Sequence, residues 1–228
     1  MQFITIVTFG RSGSTALQAV LNAHPEVLVR GENYNALSGL WQYWNSLTDA
    51  ASRHRSGKPT HPWFGTARLN ANTALVGIRH EVLNSVLRPK PSTRWSGFKE
   101  VRYEQAYFPT TAMLVSYLVF LQELLPGLRY LVNTRDPDSA ALSGWWQQHP
   151  DAPSVLAQTN QQLRTASDAL TRLLGSDRIQ LIDYGHWRND PHVVLRALEN
   201  LGFQPNADIV HSTLGNFLTH GQGQANGS

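Results

Sequence analysis

Six consecutive residues, Gly10-Arg11-Ser12-Gly13-Ser14-Thr15, have the make-up of an anion cradle. The glycines let the backbone approach a ligand closely, so that neighbouring N–H groups converge on one oxyanion. The Ser14 and Thr15 hydroxyls add donors, and Arg11 can reach charge on a bridging oxygen. Set between a strand and a helix, the loop also meets the positive end of the helix dipole. The chemistry served is the holding of a phosphate or a related tetrahedral oxyanion. Taken alone, the same string also fits a tight turn leading into a capped helix. The loop is shorter than a Walker-type loop and lacks its Gly-Lys-Ser/Thr ending, which disfavours a nucleoside triphosphatase or kinase.

A second oxyanion set follows later in the chain. Arg135 is expected at the end of a strand, while Ser139 and Ser143, four residues apart, share one face of the helix predicted next. An arginine and a hydroxyl can then meet on one phosphate. An Arg-Asp turn with two surface serines would read the same way, but two such sites at strand ends of one sheet are much harder to produce by accident. Two further charged residues fall at strand ends beside the expected cleft: Glu32, at a Gly-Glu turn, and Lys99.

The elements that must position these residues alternate in type. Strands are predicted at Ile4 to Phe9, Val27 to Val29, Gly97 to Val101, Arg129 to Thr134 and Ile179 to Ile182. Helices are predicted at Ala16 to Leu21, Glu81 to Leu87 and Ala112 to Leu125. Asp136 caps a further one, from Pro137 towards Trp146. Another lies along Leu156 to Leu173 and is closed by Gly175, and a final one runs from Asp190-Pro191 to Gly202. Between Leu37 and Leu75 the pattern is poor, and short helices with an ordered flap are expected. Strands alternating with helices make an α/β protein, a central parallel sheet in a three-layer α/β/α arrangement with ligands at the carboxyl ends of the strands. One domain over residues 1–219 is expected, with a flexible Gly/Gln/Asn-rich tail over 220–228.

With these motifs in place, the sequence resembles the sulfotransferases that use 3′-phosphoadenosine 5′-phosphosulfate (PAPS), in particular their bacterial and carbohydrate-modifying branch, with its P-loop-like fold. The resemblance rests on the loop Gly10 to Thr15 with Asn22-Ala23-His24-Pro25-Glu26 behind it, on Gly31-Glu32, on Gly97-Phe98-Lys99-Glu100-Val101-Arg102, and on Val132-Asn133-Thr134-Arg135-Asp136-Pro137 with Ser143. It implies that Gly10, Arg11, Ser12, Gly13, Ser14 and Thr15 hold the 5′-phosphosulfate, and that Arg135 and Ser143 hold the 3′-phosphate. It also implies Glu32 as the general base and an acceptor hydroxyl on a carbohydrate or glycolipid; His24, before Pro25 at a helix exit, is the next candidate for the base, though a cap there would read the same way. One departure is that the Arg-Lys-Gly loop of the cytosolic small-molecule branch is absent. Another is that Arg11 replaces the lysine common there.

In-line sulfuryl transfer would call on Arg11, Lys99 and the loop N–H groups to stabilise charge on the leaving oxygen, with no metal. A catalytically silent nucleotide-binding module and a P-loop kinase-like phosphotransferase are the alternatives. The composition agrees with a small anionic ligand: 19 Lys+Arg against 16 Asp+Glu give a net charge of +3 without a dense basic tract, so no nucleic-acid partner is expected. Zero cysteines exclude disulfides, Cys-ligated zinc and a cysteine nucleophile. The N-terminus reads as a strand rather than a signal peptide. The stretch Met113 to Leu125, interrupted by Ser116 and Gln122, falls short of the ~20 apolar residues that cross a bilayer. The cytoplasm is the expected address.

Overall fold

The computed structural model describes residues 1–53 and 58–223, with the side chains of the last helix described through residue 217. Its sheet contains β1 (Gln2–Val7), β2 (Val27–Arg30), β3 (Trp95–Glu100), β4 (Arg129–Thr134) and β5 (Ile179–Asp183). The strands lie in the order β2-β3-β1-β4-β5 and every pairing is parallel. Register places Val7 of β1 between Glu100 of β3 and Val132 of β4, so the three strands end side by side.

A parallel sheet of this kind must be covered on both faces, because successive side chains point to opposite sides. Along β1, Ile4 and Ile6 enter one core, and Phe3 and Val7 enter the other. Helices α1 (Ser14–Asn22), α8 (His192–Asn200) and α9 (Ala207–Gly223) cover the first face. Helices α2 (Ala36–Arg53), α3 (Ala71–Glu81), α4 (Thr111–Leu124) and α6 (Ala152–Leu174) cover the second. Two short helices, α5 (Pro137–Ala141) and α7 (Tyr184–Trp187), follow the ends of β4 and β5. This is the expected three-layer α/β/α arrangement. The chain leaves β1 towards one face and β4 towards the other, and that divergence opens a crevice at their carboxyl ends.

Local chemistry sets several boundaries. The Thr110 hydroxyl accepts from the Met113 N–H at 3.2 Å and starts α4, a cap of a kind worth about 1 kcal/mol. Asp136 accepts from the Ser139 N–H at 2.8 Å ahead of Pro137, as expected for α5. Gly175 closes α6. Among the described residues no helix is long and apolar enough to cross a membrane.

The structure corrects four expectations. Instead of short helices, residues 36–53 form one continuous helix, α2, which buries Leu37 and Trp41. The breakers Gly57, Pro59, Pro62 and Gly65 all lie after it, and Gly39 within it faces open space. The predicted helix from Glu81 to Leu87 is a π-helical continuation of α3, stopped where Arg30 donates to the carbonyls of Leu87 and Arg88. The helix predicted from Pro137 to Trp146 breaks after Ala141: Ser143 is extended, Gly144 takes φ +62°, and a 3-10 turn covers Gly144–Gln148. Ser139 and Ser143 therefore do not share a helix face. Finally, α8 is not the last helix. Helix α9 continues past residue 219 to Gly223, and the remainder of the expected tail, 224–228, lies outside the described residues.

Candidate active site

The loop Gly10 to Ser14 joins β1 to α1 at the carboxyl edge of the sheet. Two of its residues adopt left-handed backbone angles, Arg11 at φ +68° and Gly13 at φ +84°. Each carbonyl from Gly10 to Gly13 has its own donor. Trp146 Nε1 donates to Gly10 O at 3.2 Å, Arg135 Nη1 to Arg11 O at 2.7 Å, and Asn133 Nδ2 to Ser12 O at 2.9 Å, while the Ala16 N–H takes Gly13 O at 3.0 Å. With its acceptors engaged, the loop presents N–H groups to a ligand. Helix α1 adds an uncapped N-terminus with no acidic residue in its first turn, which favours an anion there.

The loop is held tightly by aromatic rings. A Cβ at Gly10 would lie 2.3 Å from the Trp145 ring, and one at Gly13 would lie 2.4 Å from Tyr184 and 3.0 Å from Trp187. Asn133 joins the two ends of this support, since its Oδ1 accepts from Trp187 Nε1 at 2.8 Å. The resulting cleft, about 260 Å³, is lined by Gly10, Arg11, Gly13, Ser14 and Thr15, by Glu32 and Lys99, and by Arg135, Trp145 and Tyr184. Phe217 of α9 also reaches it. Ser12 is the exception among the expected loop residues. Its side chain is fully buried and sits 2.6 Å from Thr8 Oγ1, which donates to Asn133 O, so its hydroxyl serves the loop rather than the cleft.

On the β4 side, Arg135 lies 4.6 Å above the Tyr184 ring and also donates to Ser139 O. Burial, together with the charges of Arg11 and Arg188, pushes its guanidinium below the usual value. Arg135, Ser139, Tyr184 and Arg188 line a second hollow of about 250 Å³ that adjoins the cleft through Arg135 and Tyr184. Ser143 lines neither hollow; its hydroxyl accepts from Arg11 Nε at 3.0 Å. Arg11 occupies the space that a side chain on Gly144 would need, 2.8 Å from its Nε.

On the β3 side, Lys99 is almost fully buried and donates to Glu32 Oε1 at 2.9 Å. Arg102 Nη1 lies 3.2 Å from Glu32 Oε2 and 2.9 Å from Glu100 Oε1. Burial alone would raise the Glu32 pKa, but the hydrogen bonds and charges of Lys99 and Arg102 outweigh it and hold the carboxyl below the usual range. Glu100 has no exposed surface. It accepts from the N–H groups of Asn33, Asn35 and Val101, and so fastens the turn that carries Glu32. Tyr34 and Asn35 in that turn both take φ +58°, a conformation that persists in non-glycine residues only when surroundings enforce it.

The structure thus brings Arg11, Ser14, Thr15, Glu32, Lys99 and Arg135 to one cleft. It leaves His24 at the opposite edge of the sheet, where it meets the Phe203 ring at 5.6 Å and lines a hollow with Gln2 and Trp95. Sequence reasoning assigned no role to Arg102, Asn133, Trp145, Tyr184 or Arg188. Arg102 and Asn133 lie inside motifs already singled out, whereas the others carry no signal of spacing. Of the aromatics between Trp41 and Phe64, Trp41 packs on Phe108 and Tyr117 and Trp44 on Phe120, as core residues. Among the described residues there is no cluster of three or more side chains suited to a metal ion.

A parallel sheet with a glycine-rich loop between its central strand and the following helix defines a P-loop-like α/β protein. The chain belongs to the sulfotransferase family, whose model matches residues 3–204. It is similar in structure to the sulfotransferase domain of the Synechococcus PCC 7002 olefin synthase, at 16% identity and a TM-score of 0.57 over 92% of this chain and 76% of that one. The sulfotransferase domain from the curacin biosynthetic pathway compares at 14% identity and 0.55, over 91% and 76%. Sulfotransferase STF9 from Mycobacterium avium compares at 14% and 0.51, over 96% and 68%. No protein of curated function matches the chain by sequence.

Proposed function

We propose that this sulfotransferase family member is an O-sulfotransferase that takes its sulfuryl group from PAPS and passes it to an acceptor hydroxyl. The observation that carries this reading is the pair of adjoining arginine-lined hollows, one at the loop and one at Arg135, Ser139 and Arg188, where Asp136 is engaged by the Ser139 N–H. A donor with a phosphosulfate at one end of its ribose and a phosphate at the 3′ position needs two such places. In this reading the loop N–H groups, Ser14 and Thr15 hold the 5′-phosphosulfate. Arg135 holds the 3′-phosphate with Ser139 and Arg188, which takes the part of the missing Arg-Lys-Gly loop. Ser143 accepts from Arg11 Nε and so helps to hold that guanidinium at the loop.

The transfer forms one bond and breaks another: the acceptor oxygen attacks sulfur, the sulfur–oxygen bond to the 5′-phosphate breaks, and 3′-phosphoadenosine 5′-phosphate (PAP) leaves. Arg11 and Lys99 stabilise charge on the departing oxygen. Glu32 takes the acceptor proton. Before the donor arrives, Lys99 bonds Glu32 and weakens it as a base. When the donor's sulfonate draws the ammonium away, Glu32 loses one of its two cationic partners and its basicity rises, so that the base is strengthened by donor occupancy. Calorimetry with PAP, paired with mass-spectrometric detection of sulfated product from PAPS, tests the reading. Binding of PAP with no product from any hydroxyl acceptor would leave a silent nucleotide-binding module, and failure to bind PAP would remove the donor assignment altogether.

A further inference from the structure

Beside the cleft lies another chamber, about 380 Å³, lined by Tyr34, Glu104, Tyr107, Trp145, Trp146 and His149. It shares Glu32, Val101 and Trp145 with the cleft, so the carboxylate proposed as the base forms part of both walls. Its remaining walls differ sharply from those of the cleft. Trp145 and Trp146 lie 6.0 Å apart with their planes inclined by 31°, and His149 meets the Trp146 ring edge-on at 5.8 Å. Tyr34, Tyr107 and Trp145 each expose a large part of their surface. Large rings left open to solvent around one concavity offer flat apolar surface to a ligand.

The charges of the chamber point the same way. Its guanidinium, that of Arg102, is held by Glu32 and Glu100 and stacks 4.2 Å above Tyr34. That cation is already neutralised by two carboxylates. Glu104 differs, because one of its carboxyl oxygens is buried with no hydrogen-bond partner. The chamber therefore provides aromatic faces and an unsatisfied carboxyl, while the free cationic groups Arg11 and Arg135 stand on the cleft side. An anionic acceptor would meet Glu104 with only Arg102, already paired to Glu32 and Glu100, to offset it, whereas a cation would gain both the carboxylate and the rings.

We infer that this chamber receives the acceptor, and that it selects a neutral or cationic compound carrying a flat apolar ring and a hydroxyl, with Glu104 discriminating against anions. This rests on the sulfuryl-transfer reading above. The ring would occupy the space among Tyr34, Tyr107 and Trp145, and its hydroxyl must reach the shared wall at Glu32. Such an acceptor departs from the carbohydrate that the sequence motifs imply.

Ligand-observed NMR titration at pH 8 with tyramine, 4-methylphenol, 4-hydroxyphenylacetate and methyl glucoside tests the inference without turnover. Expected is that the amine and the neutral phenol bind at least about tenfold more tightly than the anion and the sugar. Glu104→Gln should narrow the amine-to-anion gap to about threefold or less, and Tyr107→Ala should weaken both phenols while leaving PAP affinity unchanged. Equal binding of all four probes, preference for the anion or the sugar, no binding at ~5 mM, or a gap that survives Glu104→Gln would each overturn the inference. PAP calorimetry on the same samples separates the two claims. Loss of PAP binding sinks the donor assignment while the probe order still judges the chamber, and normal PAP binding with the wrong probe order sinks the chamber alone.

Discussion

Glu32 and Glu100 are held by the same nitrogen, Arg102 Nη1, at 3.2 and 2.9 Å. One carboxylate is fully buried and bonded to backbone N–H groups; the other borders the cleft. Arg102 thus ties a structural acid to the carboxylate proposed as the base, and three testable outcomes turn on this arrangement.

Glu100→Gln removes the charge that Arg102 and the N–H groups of Asn33, Asn35 and Val101 converge on. Breaking a buried pair costs about 3–5 kcal/mol, which corresponds to a fall in Tm on the order of 10 °C in a domain of this size. Thermal unfolding should show that loss. Turnover should fall as well, because the turn carrying Glu32 loses its anchor. An unchanged Tm would refute the assignment of Glu100 as the anchor.

Glu32→Gln should cut turnover by ~10²–10⁴-fold while PAP affinity stays within about twofold of the parent. Arg11→Ala should instead impair both, since Arg11 lines the cleft proposed for the donor. Near-parental turnover of Glu32→Gln at saturating acceptor would move the base elsewhere, and His149, which lines the acceptor chamber, would be examined next.

The pH dependence follows from the sign of the Glu32 shift. Its folded pKa lies below the ordinary value of 4.5, so its ionised form gains stability in the fold. That contribution is fully present above pH 4.5 and is lost as pH falls through the lower folded value. The acid limb of kcat/KM in the free enzyme should accordingly lie below pH 4.5 and not near neutrality. A limb between about pH 6 and 7, the ordinary histidine range, would identify a histidine base instead.

PAP should bind at least about tenfold more tightly than AMP, because Arg135 would otherwise face an empty 3′ position. Arg135→Ala should abolish the difference and Arg188→Ala should reduce it. Equal affinities of the parent for PAP and AMP, measured by calorimetry, would remove the second phosphate site.

Gly13→Ala places a methyl group at φ +84° and within 2.4 Å of the Tyr184 ring. The backbone strain alone is about 1–2 kcal/mol. The variant should show a lowered Tm and a loss of PAP binding larger than the loss of stability, because Tyr184 must shift and Arg135 rests on its ring.

Much of this arrangement is legible in the sequence because short-range chemistry sets it. The five strands, the glycine-rich loop between β1 and α1, and the Asp136 cap follow from β-branched runs, glycines and an Asp-Pro pair, and each lies where expected within a few residues. The break after Ala141 was not legible. Gly144 is a breaker, but it stands three residues past the actual break, and only the Arg11 side chain, far away in sequence, shows why the chain turns beside it. The same holds for Ser12 and Asn133. A hydroxyl in a phosphate loop reads as a ligand donor, and only the approach of β4 shows it bonded to Thr8 instead. Residues such as Arg188 and Trp145 gain meaning solely from tertiary neighbours, which local patterns do not record.

The four occupied carbonyls of the loop have a kinetic consequence. Since Trp146, Arg135, Asn133 and the first turn of α1 hold the backbone from Gly10 to Gly13, the loop needs no ordering when a donor arrives. Donor association should be limited by encounter and desolvation rather than by rearrangement, with single-exponential kinetics that stay linear in donor concentration. Two of those donors, Arg135 and Trp146, come from the segment between β4 and α6, so a local opening of that segment would loosen the Gly10–Arg11 half of the cradle while the rest of the sheet remained folded. Hydrogen exchange would register this as a sub-global unfolding unit, one that donor binding closes.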